Sequence, residues 1–208
     1  MDFGQPIREI TTASPAHFTA ELLAGNEPVV LRGLVNDWPV SQCISDRALA
    51  DYLLRFAQPT PLHTMVTPPE QQGRYFYNDD LSGFNFTRQR LSLAHVLAQI
   101  LSADGTGYYV GSTSIDAALP GFRQANELVP LQDKPLYSLW LSNQSRVSAH
   151  YDVTDNVACV VHGTRKFTLF APEQLDNLYI GPLDFTPAGQ SCSLVDFHQP
   201  DLDRFPKF

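Results

Sequence analysis

The sequence predicts an α+β fold with a β-sandwich or β-barrel core, and three observations lead to it. The 208 residues are enough to bury a core, as one large domain or two small ones. Sixteen prolines and thirteen phenylalanines favour many short elements over a helical bundle. Helical and strand patterns mix in the first half, whereas from Gly105 onward the patterns are those of a run of antiparallel strands.

The chain contains four helical patterns. Ser14 can cap the first, with Pro15 at the first helical position and Gly25 just past the end. The next two carry apolar side chains at three- and four-residue spacing, and the fourth opens with Pro172. The four predicted helices cover residues 15–23, 46–56, 91–101 and 172–178.

Short runs of apolar, β-branched and aromatic residues predict the strands, bounded by turn residues. Gly163 and Thr164 interrupt the longest of these runs, which predicts a β-hairpin with His162 pointing outward beside its turn. Trp140 is expected to be a core or packing residue, as large aromatic side chains usually are. The predicted strands cover residues 28–33, 84–86, 108–110, 135–141, 147–151, 156–162, 165–170 and 193–197.

Charge and cysteine content exclude several classes of function. With 22 acidic against 14 basic residues, the net charge of −8 argues against a nucleic-acid or anionic-membrane surface. Cys43, Cys159 and Cys192 show no paired spacing, which is typical of free thiols in a reducing compartment. The first twenty residues lack the pattern of a signal peptide, and no apolar run is long enough to span a bilayer. We therefore expect a cytoplasmic protein with neither a nucleic-acid nor a membrane partner.

One short motif carries chemistry. Among six histidines, only His150 begins an H-x-D pattern, His150-Tyr151-Asp152. In a strand, residues two apart project from the same face, so an imidazole and a carboxylate would point together. They would supply two of the three ligands of a 2-His-1-carboxylate iron(II) site. Since short motifs also arise by chance, the alternative is a surface His–Asp pair at the end of a strand.

An ordered series of blocks surrounds this motif. Downstream they are 148–152, 156, 161–170, 172–174, 177–179, 193–197, 200–201 and 204–206, and upstream 28–35, 37–39, 75–77 and 84–86. In order and spacing these blocks resemble the cupin-like, Jumonji-C-type (JmjC) dioxygenases that use iron(II) and 2-oxoglutarate. The pattern is most similar to bacterial cupin-like relatives of the asparaginyl hydroxylase that acts on hypoxia-inducible factor.

The resemblance implies a double-stranded β-helix, the cupin or jelly-roll core. Residues 1–104 would form its N-terminal α/β flank, and residues 105–208 the first part of the core with the H-x-D motif. It also implies decarboxylation of 2-oxoglutarate to succinate, coupled to hydroxylation of a substrate C–H bond. The family's site residues correspond to metal ligands His150 and Asp152, to Asn156 lining the site, and to Tyr109 or its neighbour Tyr108 on the co-substrate.

Two departures from the family pattern concern the co-substrate. Arg165 stands where the family commonly has a lysine that pairs with the far carboxylate of 2-oxoglutarate, and Lys166 follows it. Arginine binds carboxylates bidentately, so either residue can serve, the alternative being an exposed basic pair at a hairpin turn. Val147 replaces a hydroxyl residue that often precedes the motif, whereas Ser148 lies one position later.

The third departure concerns the metal. The family's distal histidine would fall beyond Phe208, and His198 lies in a loop where the family places no ligand. We therefore expect a barrel that is incomplete at its C-terminus.

The sequence thus predicts an iron(II)/2-oxoglutarate oxygenase that is incomplete as given, acting on a protein side chain or a small molecule. A non-catalytic cupin-like binding or scaffold module is the alternative. A homodimer is expected if the family's C-terminal helices follow.

Overall fold

A computed structural model of the chain describes residues 4–11, 22, 24–25, 27–128 and 135–208. The helix predicted over 15–23 falls almost entirely outside the described residues. The strands are β1 (Arg8–Ile10), β2 (Val29–Leu31), β3 (Leu62–Thr67), β4 (Arg74–Tyr75), β5 (Thr87–Leu91), β6 (Gly107–Ser114), β7 (Ser138–Ser142) and β8 (Arg146–Val147). The α-helices are α1 (Asp46–Leu54), α2 (Leu93–Ser102) and α3 (Ile115–Ala118), and short 3₁₀ turns cover Pro39–Gln42, Pro69–Gln71, Phe122–Gln124 and Pro172–Asn177.

Local capping sets the starts of the two longer helices. The Ser45 side chain accepts a hydrogen bond from the Ala48 amide at 3.2 Å, and Ser92 does the same for the His95 amide at 3.2 Å. Each hydroxyl satisfies an amide that the first helical turn leaves without an intrahelical partner. The predictions of these two helices are confirmed, apart from shifts of two residues at their ends.

The main sheet is antiparallel with strand order β5-β3-β6-β7, so β6 is paired on both edges. Side chains alternate between the faces of a strand. Tyr108 and Val110 of β6 join the main core with α1 and α2, whereas Tyr109 joins a separate aromatic cluster with Tyr75 and Phe86. The strand therefore divides the molecule into a helix-covered face and an aromatic face.

Asn126 anchors one end of the main core. It is 2% exposed, and its Oδ1 accepts a hydrogen bond from the Val40 amide at 3.0 Å. Its Nδ2 donates to the Tyr52 hydroxyl and to the Phe122 carbonyl, both at 2.8 Å. A buried amide is tolerated only when it is hydrogen-bonded in this way, and here it joins α1 to two 3₁₀ turns.

A bulge separates Tyr109 from the end of β6. Val110 pairs with Leu141 and Thr113 with Leu139, so two residues of β6, Gly111 and Ser112, lie opposite Trp140. Ser112 has φ 48°, in the left-handed region. Bulges of this kind bend a strand and redirect side chains, and they are common beside functional sites.

Three of the strand predictions before residue 148 are confirmed, whereas one before it and those after it fail. The predictions over 28–33, 108–110 and 135–141 are confirmed by β2, β6 and β7. The strand predicted over 84–86 is wrong, since Phe84 makes only an isolated bridge to Tyr77 and the strand begins at Thr87. The helix predicted over 172–178 is a 3₁₀ turn, Pro172–Asn177.

The predicted hairpin of residues 156–162 and 165–170 does not form, and 147–151 contributes only Val147 to β8. The strand over 193–197 is reduced to a bridge between Ser193 and Ile180. A strand needs a neighbour for its backbone N–H and C=O groups. Among the described residues no strand runs beside 156–170, so the described part of the chain has an antiparallel sheet consistent with a jelly roll but no closed barrel.

The main sheet takes β3 and β5 from before residue 104 and β6 and β7 from after it, and the domain boundary stays a prediction. No helix in the described part of the chain is long and apolar enough to cross a membrane.

Substitutions of two tyrosines by phenylalanine test the hydrogen bonding of buried hydroxyl groups. The Tyr75 hydroxyl is buried and has no hydrogen-bond partner among the described residues, so Tyr75→Phe removes an unsatisfied group. We expect Tyr75→Phe to leave the free energy of unfolding unchanged or to raise it. Tyr52→Phe takes an acceptor from the buried Asn126 amide and should cost about 1–3 kcal/mol. Urea unfolding measures both variants, and equal losses would contradict the assignment of these hydroxyls.

Candidate metal and co-substrate site

The H-x-D motif lies in a loop after β8, where local hydrogen bonds hold it. His150 Nδ1 lies 2.8 Å from the Ser148 carbonyl oxygen. A carbonyl only accepts, so Nδ1 carries the hydrogen and the lone pair of the neutral ring is on Nε2. Nε2 lies 3.9 Å from Asp152 Oδ1. The ring nitrogen that a metal would use therefore faces the carboxylate, as in histidine ligands oriented by an outer carbonyl.

Asn156 orients the carboxylate. Its Nδ2 donates to Asp152 Oδ2 at 3.0 Å and to the Thr154 carbonyl at 3.2 Å. Because Oδ2 is held in this way, Oδ1 is the oxygen on the side of His150. Asn156 therefore lies against Asp152 as an outer hydrogen-bond partner, and its assignment to the site stays a prediction.

His150 and Asp152 could supply part of the ligand set of a divalent first-row metal. An imidazole nitrogen and a carboxylate oxygen are donors of the kind that non-haem iron(II) takes. Two ligand atoms at right angles, each about 2.1 Å from a metal, lie about 3 Å apart, so an approach of about 1 Å would bring the pair to that spacing. Among the described residues no group of three His, Cys, Asp or Glu side chains could hold a metal. His150 and Asp152 would thus supply two of the three protein ligands of such a site.

The remaining C-terminal histidines have other partners. The His198 ring stacks on Phe197 with centroids 4.7 Å apart. His162 Nε2 lies 2.8 Å from Asp46 Oδ1, and its Nδ1 lies 3.1 Å from the Cys43 carbonyl. The prediction that His162 points outward is wrong. Its ring contacts Asp46 at the start of α1 and the Cys43 carbonyl just before that helix.

Tyr109 lies on the aromatic face of β6. It is 8% exposed, with its ring centroid 5.2 Å from that of Tyr75 and 6.1 Å from that of Trp140. Burial raises the pKa of Tyr109 to about 12, with an opposing contribution from the positive charge of Arg165 and a reinforcing one from the negative charge of Asp152. Both predicted site residues are therefore within electrostatic reach of this phenol.

The structure separates the two candidate tyrosines. Tyr108 belongs to the opposite, helix-covered face, where its hydroxyl donates to Gln99 Oε1 at 3.3 Å. The face that carries Tyr109 is the one that Arg165 and Asp152 influence, and this favours Tyr109 over Tyr108 for the co-substrate.

Arg165 is exposed and reaches towards the same face. Its guanidinium carbon lies 4.9 Å from the Phe167 ring centroid and 5.9 Å from that of Trp140. Lys166 is exposed as well. The ring of Trp140 is thus a neighbour of both the Tyr109 ring and the Arg165 guanidinium.

Sequence reasoning missed two residues of this arrangement. Trp140 is 46% exposed rather than in the core. A Cβ at Gly111 would lie 2.7 Å from Tyr109 Cε1 and 3.2 Å from Trp140 Cζ3, so only glycine lets the two rings approach. A glycine inside a strand often marks such a close approach, and that signal could have identified position 111.

Comparison with known proteins identifies the family. The family model described as the cupin-like domain matches residues 15–208. JmjC domain-containing protein D of Dictyostelium discoideum is 24% identical over 92% of this chain and 45% of its own length. Lysine-specific demethylase 8 of Xenopus tropicalis is 23% identical over 100% of this chain and 45% of its own length.

A shorter match joins the chain to tRNA wybutosine-synthesizing protein 5 of Mus musculus, 36% identical over 28% of this chain and 16% of that protein. The chain spans under half the length of each of these three relatives. The finer likeness to the asparaginyl hydroxylase stays a prediction. Because the cupin-like domain matches nearly the whole chain and JmjC proteins are among its relatives, the chain belongs to the cupin-like, JmjC-related family.

Proposed function

We propose that the chain contributes the metal and co-substrate residues of a JmjC-type oxygenase that uses iron(II) and 2-oxoglutarate. One observation supports this most directly: His150 Nε2 and Asp152 Oδ1 face each other at 3.9 Å, and each side chain is oriented by an outer hydrogen bond. A chance His–Asp pair at the surface has no need of both outer partners. Family membership adds to this reading, since JmjC proteins are generally dependent on iron(II) and 2-oxoglutarate.

In the proposed site, His150 and Asp152 would hold the iron. When bound, iron(II) supplies the O₂-dependent decarboxylation of 2-oxoglutarate to succinate, coupled to hydroxylation of a substrate C–H bond. The Ser148 carbonyl keeps the His150 ring in the tautomer whose Nε2 can ligate. Asn156 keeps one carboxylate oxygen of Asp152 directed at the same point.

Tyr109 and Arg165 would hold the co-substrate. Because its pKa is raised to about 12, Tyr109 remains a neutral phenol at physiological pH and can donate a hydrogen bond to a carboxylate. Arg165 offers a planar guanidinium, which pairs with a carboxylate bidentately. Trp140 neighbours both residues and would exclude water from one side of the co-substrate.

The substrate class is a protein side chain or a small molecule. The net charge of −8 favours neither nucleic acid nor an anionic membrane. All three cysteines are free, which supports the proposed cytoplasmic location.

A second candidate is a cupin-like binding module without catalysis. It is favoured by the donor set, since the described residues bring together two ligands rather than three. Metal and co-substrate binding distinguish the two functions.

Replacing His150 should abolish most of the metal affinity. We expect His150→Ala to weaken anaerobic iron(II) binding roughly 100-fold, and Asn156→Ala, which removes only an outer partner, to weaken it about tenfold. Isothermal titration of the full chain provides the dissociation constants. His95→Ala is the matched control, because His95 is an exposed residue of α2. Unchanged affinity in His150→Ala would contradict the assignment of this metal site.

The two basic residues can be separated by co-substrate binding. The iron(II)/2-oxoglutarate complex should give a weak visible charge-transfer band, and its titration measures co-substrate affinity. Arg165→Ala should weaken 2-oxoglutarate binding about 10- to 100-fold, the cost of a lost hydrogen-bonded ion pair, whereas Lys166→Ala should change it little. If Lys166→Ala weakened 2-oxoglutarate binding and Arg165→Ala did not, Lys166 would be the residue that pairs with the co-substrate carboxylate. If the wild-type chain gave neither the band nor succinate, the oxygenase proposal would be contradicted. The non-catalytic binding module would then be the remaining function.

A further inference from the structure

A second charged cluster lies where β4 pairs with β8. The two strands are parallel, and their register places Arg74 beside Arg146. Both side chains are partly buried, each 27% exposed. Like charges on neighbouring strands repel, and burial weakens their solvation by water. The pair therefore needs negative charge nearby.

Asp196 provides only part of that charge. Its Oδ2 lies 3.4 Å from Arg74 Nε and 3.8 Å from Arg146 Nη1, both longer than an ordinary N–H···O hydrogen bond. Its Oδ1 accepts from the His198 amide at 3.1 Å. One carboxylate is thus shared loosely between two guanidiniums, and the cluster retains a surplus of one positive charge.

The hydrogen bonding of the pair is incomplete as well. Arg146 Nε is buried without a hydrogen-bond partner among the described residues, and Nη2 reaches the Gln71 carbonyl only at 3.5 Å. The Arg74 guanidinium lies 4.0 Å from the Phe76 ring centroid, which fixes its plane. A buried donor with no partner costs free energy, and a ligand oxygen would remove that cost.

These two arginines form one wall of a cleft, which we call the Arg74–Arg146 cleft. The rest of its lining is polar at Ser148, Asp196 and His198 and apolar at Val147, Val195 and Phe197. We propose that the Arg74–Arg146 cleft binds an oxyanion group, a phosphate or a carboxylate, of a small ligand. Guanidinium groups bind both kinds of anion through paired N–H donors, and here two of them lie side by side in a chain whose net charge is −8.

This inference does not depend on the oxygenase function. Ser148 lines the cleft, and its carbonyl accepts the hydrogen bond of His150, so the cleft borders the candidate metal site. Neither Arg74 nor Arg146 is among the residues assigned to iron or 2-oxoglutarate, and the cleft can be tested without metal.

The test titrates inorganic phosphate and, separately, acetate into the metal-free full chain at constant ionic strength set by chloride. Nuclear magnetic resonance of the arginine Nε–H groups reports binding, and we expect the Arg146 Nε signal to shift with at least one anion. Arg146→Gln, in which binding is followed at the Arg74 Nε signal, should weaken that binding at least tenfold. Arg47→Gln is the control and should leave it unchanged, since Arg47 belongs to an exposed ion pair with Asp51 in α1.

Asp196→Asn separates binding from a purely structural role. The substitution preserves shape and the acceptor for His198 but removes the resident negative charge, so the anion should bind roughly tenfold more tightly. A variant that had merely lost structure would not gain affinity. Binding of phosphate alone would identify a phosphate-bearing ligand, and binding of acetate would identify a carboxylate. The proposal is overturned if neither anion shifts Arg146 Nε beyond the chloride control, or if Asp196→Asn binds no more tightly.

Discussion

The pairing of β6 on both of its edges is the constraint on which the candidate site depends. Once β3 and β7 take up its backbone groups, side-chain alternation forces Tyr108 and Val110 into the helix-covered core and Tyr109 onto the opposite face. A one-residue slip would exchange the two tyrosines and bury the wrong one. The bulge at Gly111 and Ser112 then places two residues opposite Trp140, and the missing Cβ of Gly111 lets the Tyr109 and Trp140 rings approach. The co-substrate face is therefore a consequence of strand register.

The metal ligands are held by a different kind of interaction. His150 and Asp152 lie outside any ladder, so a strand does not align them, and three short-range hydrogen bonds involving Ser148, Asn156 and Thr154 do. Local bonds of this type orient donor atoms but leave the loop itself exposed. Val153, Val157, Phe167 and Leu169 around it are 84%, 46%, 52% and 55% exposed. The sheet thus carries Tyr109, one of the proposed co-substrate residues, whereas Arg165 and the proposed ligand pair lie in segments without strand partners among the described residues. Outer hydrogen bonds orient the pair.

The sequence predicted the features that depend on nearby residues. The two longer helices were predicted from apolar spacing, and β6 from its run of strand-forming residues. The structure adds Ser45 and Ser92 as their N-terminal caps, and Ser92 lies inside the helix that was predicted over 91–101. The hairpin at Gly163 was wrong because a strand exists only beside a partner, and alternation along one segment says nothing about whether that partner is present. The outward direction predicted for His162 was wrong for the same reason, since its partner Asp46 lies far along the chain. Trp140 packs against Tyr109 but remains half-exposed, which spacing along one strand could not show. The H-x-D motif could be named from its pattern, whereas Asn156 was named only through the family resemblance. The structure adds that the Asn156 side chain hydrogen-bonds to Asp152, four residues earlier.

The most direct test of the proposed metal site uses the two tryptophans of the chain as reporters of where the metal binds. Trp38 packs against the main core, whereas Trp140 lies beside Tyr109 on the face assigned to the site. Manganese(II), a paramagnetic substitute for iron(II), broadens the nuclear magnetic resonance signals of nearby groups. If His150 and Asp152 bind the metal beside the aromatic face of β6, substoichiometric manganese(II) will broaden the Trp140 indole N–H signal and spare that of Trp38. Equal broadening of both signals, or of neither, would contradict the placement of the metal site.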